Sequence, residues 1–97
     1  MTEVEIVGLR SKKQISLYET AIHHYIGQLF KRDPRIQVAV EFENGLEADA
    51  FCICLISGRN PKLFAIEVNK QLKQEEVLRA LAHEMVHVKQ YRTNQIK

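Results

Sequence analysis

Residues 81–91 read Leu81-Ala82-His83-Glu84-Met85-Val86-His87-Val88-Lys89-Gln90-Tyr91, and the reading of this stretch decides the rest of the chain. No Gly or Pro interrupts the run from Glu75 to Tyr91. Apolar residues fall at 77, 78, 81, 85 and 88, the period of a helix with one buried face. On a helical wheel that stripe centres near Leu81 and Met85. His83 and His87 lie far round from it, among Glu76, Arg79 and Gln90, with Glu84 on the flank between. Side chains four apart on a helix stand one above the other. Two imidazoles so placed can reach one tetrahedral Zn²⁺, whose bonds to ring nitrogen are about 2.0–2.1 Å long. Glu84 projects about 100° round the helix from His83. Its carboxylate then lies beside the ion, where it can take a proton from a bound water.

The bare pattern H-E-x-x-H arises by chance in about one shuffled sequence in sixty of this composition, so its setting must support it. A pair of structural core histidines belongs on the apolar stripe, and these two lie away from it. The remaining bland alternative is two exposed helix histidines without a partner.

The 97 residues make one domain, with 45% hydrophobic and 27% charged residues, an ordinary globular balance. The net charge of +2 permits contact with nucleic acid without demanding it. Basic residues are scattered without interleaved aromatics, which favours a solvated surface over a base-stacking one. Glu3 and Glu5 interrupt any signal-peptide pattern, and no stretch approaches the length of a membrane span. A cytoplasmic location is expected. Cys52 and Cys54 share one face of a strand, a placement that rarely forms a disulfide, and read as small buried thiols.

Working outward from the motif, residues 62–69 read as a strand with Phe64, Ile66 and Val68 inward. As an edge strand it could pair with an extended peptide lying across the metal; the alternative is an edge guarded by Lys62 and Lys70. Residues 49–57 include an unbroken apolar run and read as a strand buried on both faces. Residues 35–43 alternate cleanly, with Ile36, Val38, Val40 and Phe42 inward. Turns at 44–48 and 58–61 suggest hairpin connections. A helix is expected over 14–31, with Ser11 as N-cap and Gln14 at N3 as in a capping box, stopped by Asp33-Pro34. A short strand covers 2–7. The motif helix begins near Gln74 without a strong N-cap residue, and Glu75 and Glu76 complement its dipole. The order is β-α-β-β-β-α. The expected fold is α+β: a small antiparallel or mixed sheet of three to four strands, with two helices on one face.

Phe64-Ala65-Ile66-Glu67-Val68-Asn69, the polar link with Glu75-Glu76, and 81–91 together resemble the SprT-like and phage-encoded minimal zincins. The likeness covers about a third of the chain closely. It implies a zincin-like fold and zinc-dependent peptide-bond hydrolysis, with His83 and His87 as zinc ligands and Glu84 as general base. A peptide or protein is the implied substrate.

That family supplies a third ligand after the motif helix, and here no Glu, Asp or His follows His87. Catalytic zinc ordinarily takes three protein ligands and leaves the fourth position to water. The expected explanation is a missing C-terminal segment. The others are a ligand from elsewhere in the fold, with His23 or His24 ahead of Glu67 or Glu47, and loss of catalysis. The competing functional expectation is therefore a non-catalytic module that keeps the fold and binds protein or DNA.

Overall fold

β1 (Glu3–Val7), α1 (Lys12–Leu29), β2 (Gln37–Glu43), β3 (Ala50–Cys54), β4 (Leu63–Asn69) and α2 (Gln74–Arg92) follow in chain order. They are seen in a computed structural model that describes residues 1–55 and 61–93. The fold is α+β: the four strands form one sheet in the order β1-β2-β4-β3. β1, β2 and β4 run parallel, and β3 is antiparallel to β4, so the sheet is mixed.

Both helices cover the same face of this sheet. Val38, Val40 and Phe42 of β2 and Phe64, Ile66 and Val68 of β4 alternate inward. They join one core with Tyr18, Ile22 and Ile26 of α1 and Val77, Leu81, Met85 and Val88 of α2. Burying each aliphatic or aromatic side chain of this kind stabilises the fold by about 1.5–3 kcal/mol. Tyr18 stacks on Phe42 with ring centroids 5.4 Å apart. No helix among the described residues is long and apolar enough to cross a membrane.

Ser11 caps α1 as expected, its hydroxyl accepting from the Gln14 N–H at 3.2 Å. The helix ends at Leu29, before the Asp33-Pro34 stop. Asp33 instead ties down the chain's start: its carboxylate accepts from the Thr2 amide at 3.0 Å and from the Thr2 hydroxyl. It also accepts from the Arg35 amide at 2.9 Å, and Arg35 takes a left-handed φ of 54°.

Three expectations are corrected. The strand before the metal helix is not an edge, since β4 lies between β2 and β3 and is hydrogen-bonded on both sides. β2 and β3 are not a hairpin, because β4 inserts between them; only β3 and β4 pair antiparallel. β3 is not buried on both faces either. It is one of the two edge strands of the described sheet, with Phe51 and Ile53 each 37% exposed on its outer side. The expected ends of that strand at Ile56 and Ser57, and most of the following turn, lie outside the described residues.

Candidate metal centre

α2 is set by what precedes it. The Asn69 side chain, at the end of β4, accepts from the Gln71 N–H at 3.0 Å, and the Lys70 amide donates to Glu43 O at 2.8 Å. These bonds turn the chain off the sheet and into the helix. Lys73 cannot cap with its own side chain, so Glu76 at N3 accepts the Lys73 N–H at 2.9 Å. The structure thus supplies from the first turn the cap that the residue at 73 lacks. Tyr25 of α1 donates its hydroxyl to Leu78 O at 3.2 Å and joins the two helices.

With Leu81 and Met85 fully buried, the rotation of α2 is fixed. His83 is consequently exposed, His87 half-buried and Glu84 buried, matching the order read from the wheel. The His83 and His87 ring centroids lie 4.9 Å apart with the planes at 83°. Candidate ligand atoms of His83, Glu84 and His87 all lie within 4.8 Å of one another. Glu84 is only 6% exposed, yet it lines both grooves beside the helix together with His83.

Gln90 adds a part that the sequence reading passed over. Its Oε1 lies 3.0 Å from His87 Nδ1. An N–H on Nδ1 donating to that oxygen leaves Nε2 with its lone pair free, the arrangement in which imidazole binds metal. The signal was present as a His and a Gln three apart on the helix, but the pattern is too common to stand out.

β3 forms the wall facing α2. Ala50, Phe51 and Cys52 line a groove of about 360 Å³ with His83, Glu84, His87 and Tyr91. A second groove of about 340 Å³ continues along the helix between Asp49, Ala50, Glu76, Arg79 and His83. Cys52 is half-buried rather than buried. Burial pushes its thiol up to about 12, with the charges of Glu84 and Cys54 adding to the effect. It therefore stays protonated at neutral pH, a poor nucleophile.

The candidates for a third ligand do not come to the site. His23 lines a groove with Met1, Thr2 and Asp33, away from α2. His24 is exposed with its ring beside Tyr25. Glu67 projects from the sheet face opposite the helices and groups with Glu41 and Glu43. Glu47 is exposed and outside both clusters of metal-binding side chains found among the described residues. The donor set thus suits zinc in kind: two imidazoles on one helix face, one of them oriented by an amide oxygen. In number, the described residues bring two histidines and Glu84.

Comparison of the chain with protein-family models, with curated proteins and with solved structures gives no match in any of the three.

Proposed function

We propose that this chain is a zinc-dependent metallopeptidase of the zincin kind. The observation that carries the reading is the placing of Glu84: a buried residue that lines the groove along β3, with a carboxylate oxygen within 4.8 Å of ring nitrogens of both histidines. His83 and His87 hold the ion, and Gln90 keeps His87 in the binding tautomer. A bound zinc ion supplies a Lewis acid that polarises a scissile carbonyl and acidifies water in its coordination sphere. Glu84 accepts the proton of the attacking water and returns it to the leaving amine. Among the described residues no strand lies beside the outer backbone edge of β3. An extended peptide pairing there runs past the two histidines, since Ala50 and Cys52 share their groove.

The test has two stages. Elemental analysis after dialysis is expected to give about one zinc per chain, lost in His83→Ala. Hydrolysis of an unfolded protein such as casein is then expected in the zinc-loaded chain and not in Glu84→Gln, which keeps its metal. Equal activity in Glu84→Gln sinks the mechanism.

A second reading rests on the ligand count. Two imidazoles with Glu84 also suit a module that holds zinc without turnover, using the β3 edge for binding alone. Zinc retention without hydrolysis in the unmutated chain selects it.

A further inference from the structure

The sheet face turned away from the helices is divided by charge. Partnered residues in neighbouring strands point to the same side. Glu41 of β2 is opposite Glu67 of β4, which is opposite Phe51 of β3; one step along, Ala39, Ala65 and Ile53 form the next row. Glu43 follows Glu41 at the next outward position. The β2 side of this face is therefore acidic. The β3 side is apolar: Phe51 and Ile53 are each 37% exposed, and Leu55 beyond them 51%.

Among the described residues no cation answers the glutamates. Glu41, Glu43 and Glu67 bring carboxylate oxygens within 4.8 Å of one another. None of the three takes part in an ion pair with a basic group among the described residues. No Lys, Arg or His occupies an outward position on the four strands. Glu67 shows the cost: its carboxyl is raised above the ordinary range by burial and by Glu43 and Glu41 beside it. Three of the chain's 12 acidic residues thus stand together on one face, next to exposed apolar side chains.

We propose that this open sheet face docks a basic amphipathic helix of a partner protein. A sheet face is ordinarily covered by a layer, whereas an added strand goes to an edge. The span fits: β2 and β3 lie two strand spacings apart, about 9.6 Å, close to the width of a helix at about 10–12 Å. A helix laid along β4 sets lysines or arginines over Glu41, Glu43 and Glu67, and its apolar stripe over Phe51, Ile53 and Leu55. A second copy of this chain does not fit. Face-to-face pairing sets the glutamates against glutamates or against Phe51 and Ile53, with no cation to answer them in either case, and both helices of a copy already spend their apolar faces on its own core. The inference does not rest on the metal reading: Glu41, Glu43 and Glu67 lie on the side of the sheet away from the histidines, and only Phe51 of β3 also lines the groove beside them.

The experiment titrates the ¹⁵N-labelled 97-residue chain with a synthetic leucine–lysine peptide of amphipathic helical pattern. A leucine–glutamate peptide of the same pattern serves as control. Shift changes are expected to concentrate on outward residues of β2, β3 and β4, with affinity falling as salt rises. Glu41→Gln/Glu67→Gln relieves repulsion and so keeps the fold; it is expected to weaken binding about tenfold. Phe51→Ser weakens it from the apolar side, and Lys12→Glu/Lys13→Glu on α1 leaves it unchanged. Shifts spread over the surface, equal binding of the glutamate peptide, or unaltered affinity in the double Gln variant overturns the proposal. So does a response of the three glutamates to Ca²⁺ with none to the peptide, or self-association through this face in sedimentation.

Discussion

Gln90 Oε1 sits 3.0 Å from His87 Nδ1, one helical turn beyond the histidine it orients. An N–H on His87 Nδ1 donating to this oxygen leaves Nε2 as the nitrogen through which a metal can be held. His83 has no such partner among the described residues and is exposed. The two candidate ligands are therefore unequal: one is pre-oriented, and the other must be ordered on binding.

Gln90→Ala is accordingly expected to weaken zinc binding by about 10–100-fold, the usual effect of removing a group that orients a ligand. The fold should be unaffected, since Gln90 lies off the buried stripe of α2. Competition with a chromogenic chelator measures the affinity, and circular dichroism checks the helix. Unchanged affinity means that the Gln90 bond plays no part in metal binding.

Glu84→Gln separates binding from chemistry. The substitution keeps the volume and a hydrogen-bonding tip at a position 6% exposed, so zinc content should persist. Any hydrolysis should fall by about 10²–10⁴-fold, the range supplied by a positioned general base. Zinc analysis and cleavage of an unfolded protein, run on the same preparation, make the comparison.

The helical period of 77–88 was legible because its outward residues are polar, so the apolar stripe stands out against them. The same holds for β2, where Gln37, Glu41 and Glu43 mark the solvent side. β3 failed this test for a physical reason. Its outer side carries Phe51 and Ile53, and apolar character reports the lack of polar groups, not the presence of a cover. Strand order was illegible too. Hydrophobic period is local, whereas the insertion of β4 between β2 and β3 depends on pairing between distant segments. As a result the edge strand beside the histidines was sought in residues 62–69 and not in β3, although the histidines and Glu84 were readable one by one.

Two glycines should answer alanine in opposite ways. Gly8, just after β1, has φ +94°, and a Cβ there would lie 2.3 Å from the Phe42 carbonyl oxygen. The backbone of β2 cannot retreat without breaking its ladder, so Gly8→Ala is expected to cost at least about 2 kcal/mol. Gly27 lies inside α1 with nothing within 4 Å of its Cβ position. Gly27→Ala should therefore stabilise by about 0.5–1 kcal/mol, through helix propensity. Urea midpoints of the two variants test both signs at once.

Asp33 and Glu67 give opposite pH dependences. Hydrogen bonds from Thr2 and Arg35 hold the Asp33 carboxyl at about 2, below its ordinary 3.8. The folded state thus favours the ionised form. The stability that Asp33 contributes is complete above pH 3.8 and lost as pH falls toward about 2. Glu67 is raised above its ordinary 4.5, first by burial and then by Glu43 and Glu41. Its contribution is present below pH 4.5 and is lost as pH rises through the raised value. Glu67→Gln should therefore raise stability at neutral pH and remove the gain on mild acidification. Asp33→Asn should lower stability at neutral pH and flatten the loss below pH 3.8. Chemical denaturation from pH 2 to 8 reads both. An acid limb of unchanged steepness in Asp33→Asn would show that the Thr2–Asp33 tie does not govern how the N-terminal strand holds to the sheet.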